Sequence, residues 1–327
     1  MTAANQLAGY ASSLPSMKNL VINGDMRIAQ RGTSFTSSGV TYGLDRFAHY
    51  SSSPVSNNIQ QSTDVPSNQG FDYSIKLNTV DLRHSVELPA AGKQGVFATG
   101  KVFTLSFWGK TGSSTKSTTI NLVFNNGSAY TDSTSPFTST NNTVTLTTTW
   151  QRFEIQYTID QVPTGNHVAC TFGIDANANI NYFTGFQLEE GTVATPFEHR
   201  PIGVELSLCQ RYYYKLGAGT KWGSQGSGSG FQIKFYMEPA RHPVQMRASP
   251  TLSLVSGGSA YFSAYAGVSP TVLSGDLGTV NTSSMSFSGI ENVNEFGVNR
   301  LGIDGAGHSQ GAGYGSLNNF INCSAEL

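Results

Sequence analysis

Charge is what this 327-residue chain has least of. Lys and Arg together number 19 and Asp and Glu 20, so charged residues make up 12% of the chain, against roughly 25% in an ordinary globular protein. The net charge of −1 supplies no basic footprint for nucleic acid and no polybasic arm for a membrane surface. Cysteine is scarce too. Cys170, Cys209 and Cys323 are odd in number, widely spaced and without a Cys-x-x-Cys, a pattern that predicts buried thiols rather than disulfides or metal ligands. No stretch approaches the ~20 consecutive apolar residues of a membrane-spanning helix. Met1 to Tyr10 has neither a basic start nor an apolar run. No secretion signal is therefore expected, and synthesis in a reducing cytosol is.

Catalytic signatures are missing as well. There is no Gly-x-x-x-x-Gly-Lys-Ser/Thr loop and no Gly-x-Ser-x-Gly elbow in a strand–turn–helix setting. Gly305-Ala-Gly-His-Ser-Gln-Gly311 has the wrong spacing for a dinucleotide loop. The six histidines (His49, His84, His167, His199, His242, His308) show no metal-ligand spacing. Glu189, Glu190 and Glu198 are the acids grouped closely enough to imagine a glycosidase pair, but spacing in sequence does not fix carboxylate separation. The expectation is a non-enzyme without a cofactor.

Ser, Thr, Asn and Gly take the place of the missing charge. A hydrophobic content of 38% and an aromatic content of 11% argue against disorder for most of the length. Apolar and polar residues alternate strictly in several segments: Phe71-Tyr73-Ile75-Leu77, Phe103-Leu105-Phe107 against Thr104-Ser106-Trp108, Ile120-Leu122-Phe124, Phe153-Ile155-Tyr157-Ile159 and Val168-Cys170-Phe172-Ile174. Period-two alternation marks half-buried antiparallel strands. Turn clusters such as Asn125-Asn-Gly127 and Pro163-Thr-Gly-Asn166 separate them. Many short strands and almost no helix mean an all-β sandwich or barrel. Tyr182 to Glu189 is predicted to close it, with Tyr182, Phe186 and Leu188 on one face and Gln187 and Glu189 on the other.

The period changes after Pro201. Val204, Leu208 and Tyr212 share one helical face, with Cys209 and Tyr213 beside them. Pro201 near the start and Gly217 past the end bracket a helix over 201–216. Four parts follow: an N-terminal arm over 1–17, a β-sandwich over 18–200, a linker helix over 201–216, and a smaller C-terminal β domain with glycine-rich loops over 217–327. Strands are predicted there near Phe231–Phe235, Thr251–Val255, Ala260–Tyr265, Ser284–Ile290 and Ser316–Ala325. Trp222 falls in a Gly/Ser loop (Trp222 to Gly230) and Tyr314 in a glycine-rich loop (Gly302 to Gly315).

Several motifs carry a resemblance. Gln187-Leu-Glu-Glu-Gly191, Ala194-Thr-Pro-Phe-Glu-His-Arg-Pro201 and Leu208-Cys-Gln-Arg-Tyr-Tyr-Tyr214 resemble a segment that recurs in phage and prophage tail and tail-fibre proteins. Asn19-Leu-Val-Ile-Asn-Gly-Asp25, Ala29-Gln-Arg-Gly32, Tyr42-Gly-Leu-Asp-Arg-Phe47 and the terminal Ser324-Ala-Glu-Leu327 are similar to the remaining landmarks of that group. Over residues 18 to 200, the order of Asn23-Gly-Asp25, Thr104 to Lys110, Trp150-Gln-Arg-Phe153 and Gly185 to Glu189 resembles the carbohydrate-binding-module type of jelly roll.

The resemblance implies a jelly-roll virion protein, made in the bacterial cytoplasm and carried on the tail or, as the lesser alternative, on the capsid surface. Its implied role is a homotrimeric tail fibre or tail appendage that contacts other tail proteins and adheres to a host surface glycan by many weak contacts. Two alternatives stand beside it: a capsid decoration or baseplate protein without receptor binding, and a carbohydrate-active enzyme or its binding module. Loop aromatics offer the receptor contacts: Tyr130, Trp222 and Tyr314, with Tyr261 and Tyr265 lining the distal domain. Trp108 and Trp150 are expected to pack inside the sandwich. Arg200 and Arg211 flank the helix, where each either staples the two domains or meets a neighbouring subunit. Tyr212-Tyr-Tyr214 rings a short helix and would leave one face for a partner chain. Such jelly rolls often hold a structural calcium. Asp25 and Glu189 are the implied ligands, yet Arg27 stands where an acid is expected, and the competing expectation is a polar network.

Overall fold

The computed structural model describes residues 17–88, 97–125, 133–134, 137–139, 142–161, 169–174, 179–216, 221–225, 232–237, 240–254, 259–265, 276–281, 285–294, 297–306, 312–317 and 321–326. Tyr130 and all of the N-terminal arm before Met17 lie outside the described residues. The chain divides into two compact units, one reaching Cys209 and the other running from Gln210 to Glu326.

The first unit is a jelly-roll β-sandwich. Its strands are β1 (Ser34–Tyr42), β2 (Phe47–Ser62), β3 (Ser74–Asn78), β4 (Asp81–Glu87), β5 (Val102–Thr111), β6 (Lys116–Asn125), β7 (Ser133–Thr134), β8 (Phe137–Ser139), β9 (Thr143–Leu146), β10 (Gln151–Ile159), β11 (Ala169–Ile174) and β12 (Ile180–Glu190). All pair antiparallel, ten of them in the path β7-β6-β11-β4-β2-β3-β12-β5-β10-β8, with β1 on β2 and β9 on β6. The 16-residue β2 belongs to both layers. Its start pairs with β4, from Phe47↔His84 to Tyr50↔Asp81, and its end pairs with β3, from Ile59↔Leu77 to Ser62↔Ser74. The layers β6-β11-β4 and β3-β12-β5-β10 then face each other across one core. Phe172 on β11 stacks on Phe186 on β12 at 5.3 Å, and the Tyr157 hydroxyl on β10 donates across the core to the Ile120 carbonyl on β6 at 2.8 Å.

The alternation seen in the sequence supplies this core. Phe103, Leu105 and Phe107, Ile120, Leu122 and Phe124, and Cys170, Phe172 and Ile174 are all buried. So are Ile155, Tyr157 and Ile159, while Phe153 at the start of that run is half-buried against the core. Burying each such side chain is worth roughly 1.5–3 kcal/mol. All three cysteines are buried thiols, as predicted.

Three local expectations fail. Residues 17–33 contain no strand, although the β-sandwich was expected to begin at residue 18. Side chains there substitute for ladder partners: Asn19 Oδ1 accepts from the Leu188 and Val21 amides, and Asn23 Oδ1 accepts from the Ile28 amide. The helix α1 is shorter than predicted, Ile202–Gln210. Its buried face is Glu205 and Cys209, whereas Val204 is exposed. Finally, Tyr182 does not share a face with Phe186. Gly185 sits at φ +66° and the β12–β5 register shifts between Thr184 and Gln187. The resulting bulge reverses the inward–outward phase, so Phe183, Phe186 and Leu188 enter the core while Tyr182 stays half-buried outside it.

The second unit is also all-β. Strands β13 (Tyr213–Leu216), β17 (Thr251–Leu254) and β23 (Ile321–Ser324) form one sheet in the order β13-β23-β17. An eight-stranded sheet holds β14 (Lys221–Gln225), β15 (Gln232–Met237), β16 (Ala240–Arg241), β18 (Ser259–Tyr265), β19 (Asp276–Asn281), β20 (Met285–Asn294), β21 (Gly297–Ala306) and β22 (Ala312–Leu317). Trp222 and Tyr314 are therefore strand residues, not loop residues. Trp222 pairs with Met237 and Gly315, and Tyr314 pairs with Gly223 and Ser263. Tyr261 and Tyr265 lie on β18. The alternating Gly and aromatic positions look loop-like in sequence because glycine masks strand periodicity.

Gly24 fixes how closely residues 19–26 approach β12. Its carbonyl accepts the Phe186 amide at 3.0 Å, and a Cβ on Gly24 would collide with the Phe186 carbonyl. Gly24→Ala is expected to destabilise the first unit by about 1–3 kcal/mol through overpacking. Gly203→Ala, whose Cβ would meet nothing, is expected to be neutral or to stabilise by up to about 1 kcal/mol. Urea denaturation of the two variants checks the contrast, and equal effects would refute it.

Candidate functional site

Several of the polar residues in the resemblance motifs meet in one buried clasp. Arg200 is 4% exposed. Its guanidinium donates to the carbonyls of Asn19 and Val21 and to both Glu205 carboxylate oxygens, at 3.4 and 3.3 Å, and lies 3.6 Å from Glu198. Glu205 in turn accepts the Asn23 amide, and Glu198 accepts the Asn19 amide at 3.0 Å. Arg27 donates to Asp25 at 2.5 Å and to the Arg200 carbonyl at 2.8 Å. Gln187 and Glu189 hold the returning strap: Glu189 accepts from the Thr195 amide and hydroxyl, each at 2.8 Å, and Gln187 Oε1 accepts the Glu198 amide at 2.8 Å. A helix face that buries a glutamate is explained by this clasp, since a buried carboxylate needs charged or N–H partners.

Several sequence expectations change here. Arg200, expected to staple the domains or meet a subunit, is buried and makes the bonds given above within the first unit. Asp25 and Glu189 do not share one site: Asp25 pairs with Arg27, and Glu189 with Gln187 and Thr195. That is the polar-network alternative. Among the described residues no group of three His, Cys, Asp or Glu side chains is placed to hold a metal ion. The acids imagined as a glycosidase pair are engaged as well, Glu190 with Lys101 and Glu198 with Arg200. Tyr212, Tyr213 and Tyr214 are not on the helix and are all buried within the second unit, so they offer no exposed face. The Tyr214 hydroxyl bonds His242 Nδ1 at 2.6 Å, and Tyr213 donates to Asn322 Oδ1 at 2.5 Å. Arg211 also bonds within that unit, to the Gln245 carbonyl at 3.5 Å. Asp45 and Arg46 are structural: Asp45 accepts from the Gln30 amide at 2.7 Å, and Arg46 donates to the Ser85 carbonyl at 2.6 Å.

A second cluster lies on the outer face of β3-β12-β5-β10, and it was missed in the sequence. Register places Gln60, Lys76, Tyr182 and Lys110 side by side across four strands. Trp150, just before β10, extends the row. Its ring meets Tyr182 edge-on at 6.5 Å, and Lys110 Nζ lies 5.5 Å from the Trp150 ring and 4.9 Å from the Tyr182 ring. Asp64 ties the group together, accepting from Trp150 Nε1 at 3.0 Å and from Lys110 Nζ at 2.5 Å. Partial burial pushes the Asp64 carboxyl up, but the bonds from Lys110 and Trp150 outweigh it and hold the group below its ordinary range. Trp108 and Trp150 are half-buried outside the core rather than packed within it. For Trp108 the signal was legible, because it alternates with Thr104 and Ser106 on the polar face. For Trp150 and Tyr182 it was not, because one precedes its strand and the other lies before the bulge. Rings at half exposure beside ammonium, carboxylate and amide groups have the composition of a sugar-stacking surface.

No protein-family model matches the chain, and no curated protein matches it. Among solved structures the chain is similar to the CBM22-1 xylan-binding domain of Xyn10C from Paenibacillus barcinonensis (13% identity, TM-score 0.33, 54% of this chain and 96% of that one). It is similar to a family 30 carbohydrate-binding module (13% identity, TM-score 0.29, 57% and 93%). It is also similar to the enzymatically active domain of tailspike protein 4 of bacteriophage CBA120 (15% identity, TM-score 0.31, 53% of this chain and 22% of that one).

Two predictions follow from the buried polar groups. Arg200→Met leaves Glu205 buried without its cation and is expected to cost about 3–5 kcal/mol. Adding Glu205→Gln should recover part of that loss in urea denaturation, and full additivity of the two would refute the pairing. The second concerns acid. Burial pushes the His49 imidazole down from 6.5 to about 3 and holds His84 well below its ordinary value. For His49 the depressed folded value means stability is full above pH 6.5 and is lost as pH falls from 6.5 toward 3, at about 1.4 kcal/mol per pH unit, and His84 acts in the same direction. Denaturation midpoints at pH 7.5, 5.5 and 4.5 should fall less steeply in His49→Leu than in the wild type. An unchanged slope would exclude His49 as a source.

Proposed function

We propose that this protein binds a glycan through the Trp150–Tyr182–Lys110–Asp64 row of its first unit and does so without catalysis, as a tail fibre or related tail appendage of a bacteriophage virion. The observation that carries the glycan reading is the pairing of two half-buried aromatic rings with a lysine and a carboxylate on one sheet face. Sugar C–H faces stack on such rings, and sugar hydroxyls bond the flanking polar groups. The motif resemblance, which spans both ends of the chain, supports the virion setting. A homotrimer would multiply weak contacts by avidity and bring three such rows to one surface.

The test is binding of the purified chain to intact bacterial cells and to immobilised surface polysaccharides, with light scattering on the same sample. Trp150→Ala and Tyr182→Ala are each expected to weaken binding about tenfold, or about 1.4 kcal/mol, with the melting transition of the first unit retained. Binding unchanged in both variants would remove the row from the site. A trimer that binds phage particles but no glycan would move the protein to a decoration or baseplate role.

A further inference from the structure

We infer that the glycan is acidic, and that Lys76 is the residue that selects it; this rests on the aromatic row being the binding surface. Tyr182 is flanked in register by two lysines, Lys76 on β3 and Lys110 on β5. Neighbouring strands are about 4.8 Å apart, so a sugar stacked on the ring reaches both ammonium groups. The two lysines differ in what holds them. Lys110 is matched by the Asp64 carboxylate at 2.5 Å. Lys76 bonds a neutral amide, Gln60 Oε1, at 3.2 Å, and among the described residues no carboxylate pairs with it. The row therefore carries one positive charge more than its own acid balances, placed beside the ring on which a sugar would stack.

A neutral sugar needs only hydroxyl partners, which Gln60 and Asp64 supply. A carboxylate or phosphate on the sugar gains a charge-assisted bond from Lys76, stronger than a neutral one. Lysine acts here as a compact point charge, so it serves either anion without demanding a planar, two-pronged geometry. The Lys76–Gln60 bond is also easily exchanged, since Gln60 loses only a neutral contact when an anion takes the ammonium.

The experiment measures binding of the full chain to polygalacturonate, to methyl-esterified polygalacturonate, to wall teichoic acid and to neutral xylan and dextran. Wild type, Lys76→Gln and Trp150→Ala are compared at low and high salt. The expected result is binding to polygalacturonate or teichoic acid at least about tenfold tighter than to the esterified or neutral polymers, weakened by salt. Lys76→Gln should remove that preference while leaving the melting transition in place. Which acidic polymer binds distinguishes a carboxylate from a phosphate. Equal binding to the neutral and acidic polymers, or a preference that survives Lys76→Gln, overturns the charge assignment and leaves the row intact if Trp150→Ala still weakens binding. Binding insensitive to Trp150→Ala, or absent from every polymer, overturns the row itself and this inference with it.

Discussion

The buried Arg200 guanidinium is the interaction on which the first unit depends. It is 4% exposed, so its donors depend on the protein for partners; both terminal nitrogens find them, while Nε has none among the described residues. Its partners come from three separate places: the carbonyls of Asn19 and Val21, Glu198 beside it in the strap, and Glu205 in the helix. One side chain thus ties the first described segment of the chain to the strap after β12 and to α1. Glu205 completes the circuit, because its carboxylate also accepts the Asn23 amide. Burial raises the Glu205 carboxyl, and the Asn23 amide and Arg200 pull it back. A hydrophobic replacement of the set would be simpler in energy. What the ions add is direction, since each bond specifies which backbone group sits where.

This clasp also frees the outer sheet face. The strap over residues 191–198 crosses the lower part of β3-β12-β5-β10, where Arg152 donates to the Thr195 carbonyl and Gln156 to the Thr192 carbonyl. The strap's bonds fall on Thr104, Gln156, Gln187 and Arg152. The Lys76–Tyr182–Lys110–Trp150 row lies further along the same strands. A binding surface and a structural seam are therefore parts of one sheet face, divided by where the strap's hydrogen bonds stop.

The fold was legible where local chemistry repeats. Strict alternation in β5, β6, β10 and β11 marked their inward residues, because a pleated strand sends successive side chains to opposite faces. Legibility failed where a single residue changed the phase. Gly185 turns one step of β12 over, and the face of Tyr182 turns with it. It failed again at α1, where Val204 and Leu208 form the apolar stripe yet Glu205 is the buried residue. Helical periodicity registers hydrophobicity, not an ion pair with Arg200 or a bond from the Asn23 amide 182 positions distant. In the second unit, residues 222–225, 302–306 and 312–315 looked like loop and are strand, since glycine carries no side chain to alternate.

The sequence by itself determined the class of this protein. Sparse charge, period-two apolar runs and turn clusters permit antiparallel β structure and little else, and those are local properties of the chain. Tertiary structure decided the roles of the polar residues. Arg200 and Tyr212 to Tyr214, which looked available to partners, are buried, while Trp150, which looked like core, stands half-exposed beside Tyr182 and Lys110. The reason is physical: whether a polar or aromatic side chain is buried depends on which distant donors and acceptors the fold delivers to it, and no local pattern records that.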